Sequence, residues 1–147
     1  MYTTVLFIHS WVRWVALIAG IGTTFAALRR QDSTAEHWSL AAVTALDLQM
    51  LLGLLLYLVV SPNMKEILAH FGDAMKDPAA RFYAVEHITG MLLAIVAAHI
   101  GRVLIRKAPT PEARSKRLLY TFGISTILMI ISMPWPGRPG GRPLFRF

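Results

Sequence analysis

The sequence predicts an all-α chain: an integral membrane antiparallel four-helix bundle with a short interfacial helix between spans two and three. Three observations predict it. Hydrophobic residues make up 55% of the chain and charged residues only 16%, whereas an ordinary soluble domain carries roughly 25% charged residues. A soluble core built from 147 residues could not hide that much apolar surface, so lipid must solvate part of it. The apolar residues fall into four runs, each near the ~20 needed to cross ~30 Å of hydrocarbon. Basic pairs or prolines close these runs, and together they make one domain.

The first span covers about residues 4–28 and stops at Arg29-Arg30, a charge pair that lipid rejects. Met1 to Gly20 is not read as a signal peptide, because it lacks a basic start and its apolar run continues to Leu28. Gln31 to Glu36 reads as a short polar turn. The second span, about 37–61, ends at Ser61-Pro62, a common helix terminator. The third, about 82–105, is closed by Arg106-Lys107. A charged loop with two prolines, Ala108 to Lys116, leads to the fourth span, about 118–133. That span ends at Pro134-Trp135-Pro136. Helix is the form expected throughout, since an open strand would leave backbone groups unpaired in lipid.

Two segments lie outside the spans. Between Pro62 and Arg81, Met64, Ile67, Leu68, Phe71 and Met75 recur at helical spacing, with Lys65, Glu66, Asp73 and Lys76 opposite. The pattern predicts an amphipathic helix lying in the membrane interface. The tail, 134–147, repeats Gly-Arg-Pro and ends Leu-Phe-Arg-Phe. Its prolines and glycines forbid a helix, so it is expected to be extended and to dock on headgroups or a partner.

Charge sets orientation and partners. One side of the bundle holds both termini and the Pro62–Arg81 segment; the other holds Arg29, Arg30, Arg102, Arg106, Lys107, Arg114, Lys116 and Arg117. Those cations crowd two short loops, which predicts a cytoplasmic location for them and periplasmic termini. The net charge of +7 therefore points to anionic lipid headgroups, not to nucleic acid. Cysteine is absent, which excludes disulfides, thiolate metal sites, iron–sulfur clusters and covalently attached haem.

Ionisable and amide side chains inside spans cost a few kcal/mol on insertion scales, so they are the functional candidates. They are His9, Arg13, Asp47, Gln49, Glu86, His87 and His99. His9 and His87 both lie about five residues in from the side of the termini, roughly 7–9 Å deep. Spans one and three run in the same direction, so these side chains tilt alike. Two neutral imidazoles at one depth on two helices are what bis-histidine ligation of a b-type haem requires. Ser10, Ala84, Gly90 and Ala94 would leave room for the ring. Arg13, one turn below His9, suits a haem propionate or Glu86, which adjoins His87. The plainer reading of both histidines is an interhelical hydrogen bond; another metal is a third.

His99 follows His87 by twelve residues and so lies about 120° round the helix from it, which disfavours a second haem below the first. His37 is too shallow to pair with it. Asp47 and His99 converge at one depth on spans two and three. Such a buried pair would serve as a proton relay, a quinone-site acid or a structural hydrogen bond. His70 on the interfacial segment reads as solvated. Trp11, Trp14, Trp38, Trp135, Tyr2, Tyr57, Tyr83 and Tyr120 fit an aromatic belt near span ends. No phosphate loop, zinc helix or nucleophile triad is present.

The opening Tyr2-Thr3 with His9-Ser10-Trp11-Val12-Arg13-Trp14 begins a longer likeness. It continues through Leu52-Gly53-Leu54-Leu55-Leu56-Tyr57 with Ser61-Pro62, and through Glu86-His87 with Met91 and Ala94. It closes on Pro134-Trp135-Pro136 and Arg142-Pro143-Leu144-Phe145. Over nearly its whole length the chain resembles small four-helix bacterial membrane proteins labelled b-type cytochromes. The resemblance implies one haem b with His9 and His87 as ligands, in a bacterial inner membrane. A fainter likeness is to four-helix haem-dependent protoporphyrinogen oxidases, whose arginine-rich continuation of the first helix is missing here.

The expected function is electron transfer to or from quinone or a larger respiratory partner. The rival readings are a non-catalytic structural subunit of a membrane complex or homo-oligomer, and a metal-handling or transport protein using His9, Glu86 and His87.

Overall fold

The structure is a computed structural model describing residues 1–145. Arg146 and Phe147, the last two residues of the predicted tail, lie outside the described residues. Every regular element among the described residues is helical: α1 (Tyr2–Leu28), α2 (Asp32–Leu55), α3 (Pro62–Ala69), α4 (Phe71–Ala74), α5 (Pro78–Arg81), α6 (His87–Arg106) and α7 (Pro111–Ser132). Two π-helical turns, Leu56–Val60 and Phe82–Glu86, extend α2 at its end and lead into α6.

The α1–α2 turn is tighter than the predicted Gln31–Glu36. The Gln31 N–H donates to the Ala26 carbonyl at 2.9 Å and the Arg30 N–H to Ala27 at 3.0 Å. This arrangement satisfies the last carbonyls of α1 and requires a left-handed residue, here Arg30 at φ 54°. A side chain in that conformation costs roughly 1 kcal/mol relative to glycine. α2 then starts at once, with Asp32 in its first turn against the positive helix end.

Three later helices start alike. Ser61, Asp77 and Thr110 each accept an N–H three residues on, from Met64, Ala80 and Ala113 at 3.3, 2.7 and 3.1 Å. Each is followed by proline, whose missing N–H costs nothing in a first turn. The Thr110–Pro111 start places the beginning of α7 seven residues before the predicted Leu118. The Asp77–Pro78 start helps to break the predicted interfacial helix into α3, α4 and α5. In that segment Met64, Ile67 and Ala74 pack inward with Ala84, while Leu68 and Phe71 stay exposed.

Three helical stretches, Tyr2–Leu28, Asp32–Val60 and Pro78–Arg106, are long and apolar enough to cross a membrane. α7 is not in that set. Its first turns carry Glu112, Arg114, Lys116 and Arg117, and only from Leu118 is it apolar.

α1 packs on α2 and α7, and α6 packs on α7 and α2, so α1 and α6 face each other diagonally. The core is built from small residues. Ala16, Ala19, Ala26 and Ala27 of α1, Ala35, Ala42 and Ala45 of α2, and Ala94 and Ala98 of α6 share one cluster with Leu118 and Phe122 of α7. Small side chains let helices approach closely, and Ser125 adds a 2.8 Å hydrogen bond to the Ala94 carbonyl across the interface. Many larger apolar residues are outside: Ile18, Phe25, Leu51, Val96, Ile127 and Ile131 are all exposed, while Phe122, Leu118 and Met133 are buried. So many exposed large apolar side chains are compatible with a lipid surround and unlike a water-soluble face.

Candidate functional site

His9 and His87 meet across that diagonal. Their ring centroids are 6.4 Å apart with planes at 74°. The two rings line a cavity of about 160 Å³ together with Arg13, Gln49, Tyr83 and Arg142. His87 Nδ1 lies 2.6 Å from the Ser132 carbonyl oxygen. A carbonyl only accepts, so Nδ1 carries the proton and Nε2 keeps its lone pair. His9 Nδ1 is buried with no hydrogen-bond partner among the described residues. It lies toward Gly53 on α2, where an added Cβ would come within 3.4 Å of His9 Cε1. Gln49, one turn before Gly53, also has a buried, unbonded Oε1. Two unsatisfied polar atoms beside one cavity are costly without a ligand, by about 1–3 kcal/mol each.

Both π-helical turns adjoin this cavity through Tyr57 and Tyr83. The second ends where His87 begins α6, and π turns of this kind concentrate at functional sites. Tyr57 donates to the Ala84 carbonyl at 2.8 Å, tying the two turns together. Phe82 and Tyr83 flank His87, at centroid distances of 5.7 and 6.3 Å.

The tail docks on the chain itself. Beyond α7 it crosses the cavity as a strap. Tyr83 donates to the Gly140 carbonyl, and Arg142 Nε donates to the Tyr83 hydroxyl at 2.9 Å. Burial disfavours the Arg142 charge, but its bond to Tyr83 and nearby tyrosine charge outweigh this and raise its pKa. On the far side, Arg13 Nη2 and Trp14 Nε1 donate to the Leu144 carbonyl at 2.7 and 3.1 Å. Phe145 stacks on Trp14 at 5.4 Å. The predicted aromatic belt thus includes side chains that hold the strap.

Glu86 takes another course. It accepts from Arg81 Nε at 2.8 Å, on the exposed surface. The five-residue spacing is the repeat of the π turn that joins them. Glu86 is therefore paired away from the Arg13 with which the sequence grouped it. His70 is exposed, and His37 Nδ1 bonds to the Ser33 carbonyl of its own helix at 2.7 Å.

Asp47 and His99 also meet, with His99 Nε2 2.8 Å from Asp47 Oδ1. The pair is not buried: the side chains are 48% (His99) and 42% (Asp47) exposed on the outer surface. The 120° turn from His87 explains this, because His87 points inward and His99 then falls on the outer face.

At the opposite end Arg102 donates to Ser39 at 2.8 Å, Arg114 pairs with Glu36 at 3.4 Å, and Ser115 bonds Asp32. These contacts fasten α2 to α6 and α7. No group of three or more histidine, aspartate or glutamate residues able to hold a metal ion occurs among the described residues.

No protein-family model, curated protein or solved structure matches this chain.

Proposed function

We propose that this is a four-span protein of a bacterial inner membrane that holds one b-type haem between His9 and His87, exchanging electrons with quinone or a larger redox complex. In this reading α7 is the fourth span, the Arg29–Gln31 and 107–110 turns are cytoplasmic, and the strap is periplasmic. The exposed Leu68 and Phe71 would then rest among headgroups. The likeness to proteins labelled b-type cytochromes supports the same reading.

The observation that carries it is the approach of two imidazoles from helices that share little direct packing. Two Fe–N bonds of about 2 Å, with an imidazole radius of about 1.1 Å at each end, need centroids about 6 Å apart. The observed centroid separation of 6.4 Å is of that size. The donor set fits as well: Ser132 fixes the His87 tautomer that leaves Nε2 as ligand, the usual outer-shell arrangement. Arg13 and Arg142 line the same cavity and would hold the carboxylates. The cavity itself, about 160 Å³, is close in size to one of ~150 Å³ that encloses benzene, so a macrocycle would extend beyond it between α1 and α6.

Bound there, a haem would supply one-electron exchange at its iron. The chain's part is to hold two neutral imidazoles, to place two guanidiniums beside them, and to exclude water with the strap.

An absorption spectrum of purified protein tests the reading. A sharp α band on dithionite reduction is expected of a low-spin, six-coordinate haem. A folded but colourless protein, made with ample haem, would reject it and leave the structural subunit in first place. The metal-handling reading is weaker, because Glu86 is engaged by Arg81 outside the cavity.

A further inference from the structure

Asp47 and His99 form a polar island on an apolar outer face. Around them Leu51, Val96, Ile100 and Val103 are exposed. His99 also lines a shallow groove with Ile95, Val96, Ile100, Val103 and Leu104. Seven to ten residues in from the cytoplasmic end, the pair lies roughly 10–15 Å below the membrane surface. Ionisable groups at such depth almost always face a bundle interior or a water-filled cavity, or pair with one another. Here the pairing leaves one atom of each unused. The mutual bond uses Asp47 Oδ1 and His99 Nε2. No described residue bonds to Asp47 Oδ2 or His99 Nδ1. Hydrocarbon offers these atoms nothing.

We propose that this patch binds the head of a lipid-soluble quinol, with a ring hydroxyl donating to Asp47 Oδ2. The groove requires an apolar ring and tail, and the carboxylate requires an O–H donor. Phospholipid headgroups cannot bring one to this depth without burying a phosphate. A neutral hydroxylated ring can. The proposal names the electron partner of the function above; it rests on the membrane-spanning part of that reading and not on the haem.

The test is equilibrium dialysis of a short-tailed para-benzoquinol, kept reduced, against nanodiscs with and without the protein. Saturable binding near one quinol per chain is expected. The dimethyl ether of the same quinol, which has no donor, should bind at least about tenfold more weakly. Asp47→Asn and His99→Phe should each weaken quinol binding by about tenfold, with unchanged circular dichroism. Should those variants misfold, Val103→Trp fills the groove from its apolar side and should also abolish binding. Equal binding of quinol and ether overturns the site. So does cross-linking between two chains through Leu51→Cys without saturable quinol binding, which would assign the face to a second copy. Quinol selectivity in a colourless protein would leave this site standing while the haem reading fell.

Discussion

The Ser132 carbonyl holds His87 at 2.6 Å, and the hydroxyl of the same serine occupies the space that a Cβ on Gly90 would need. One residue of α7 thus sets the ring orientation on α6 and the distance between the helices. Gly90→Ala should push Ser132 away, at a cost of about 1–3 kcal/mol as in other overpacked interfaces. Thermal unfolding should report the loss. The reduced α band should broaden or shift as the His87 tautomer is released.

The two imidazoles make separable predictions from the rest of the histidines. His9→Ala or His87→Ala should abolish the low-spin band or convert it to a high-spin form. His37→Ala and His70→Ala should leave it unchanged, since one bonds its own helix and the other faces outward. A band that survives both cavity variants would remove these residues from the ligand set.

Gln49 offers a sign test. Its buried Oε1 lacks a partner, so Gln49→Leu should stabilise the haem-free protein by about 1 kcal/mol or leave it unchanged. The same change should speed haem loss to an acceptor protein if the amide positions His9 in the loaded state. Slower loss, or no change, would deny it that role.

The strap depends on one hydroxyl. Tyr83→Phe removes the donor to Gly140 and the acceptor for Arg142. The Gly141 and Arg142 amides, bonded to the Arg138 and Pro134 carbonyls at 2.8 and 3.0 Å, should then exchange about tenfold faster. Unaltered protection would mean that Arg13 and Trp14 hold the strap alone.

Topology can be read without background, because the chain has no cysteine. Gln31→Cys and Pro109→Cys should react with an impermeant thiol reagent only in inverted vesicles. Lys65→Cys should react in intact spheroplasts. The reverse pattern would invert the orientation.

The sequence carried the His9–His87 approach because rise per residue converts position into depth, and parallel helices place equal depths together. It carried the Asp47–His99 contact from depth as well, there on antiparallel spans whose side chains tilt toward each other. The 120° offset that puts this pair outside was in the spacing too, yet an Asp–His contact reads more readily as an internal relay. Other features leave little mark. A π turn inserts one residue without changing composition, so Glu86 looked like a neighbour of the site and not a partner of Arg81. Glycine and proline forbid helix in the tail but do not say where an extended chain comes to rest. The four-span reading took the apolarity of Leu118 onward as a whole span, although the helix it belongs to begins among charges.

The strap that crosses the cavity follows all the long helices in the chain. It is therefore synthesised after α1 and α6, the helices that carry His9 and His87. Until the strap docks, the pocket is uncovered on the side of Arg142, and in the proposed reading a haem would enter there without displacing it. Once Tyr83 and Arg13 have taken up their bonds, the strap covers that side. In the proposed reading, haem loss from the finished protein would then be limited by how often the strap lets go.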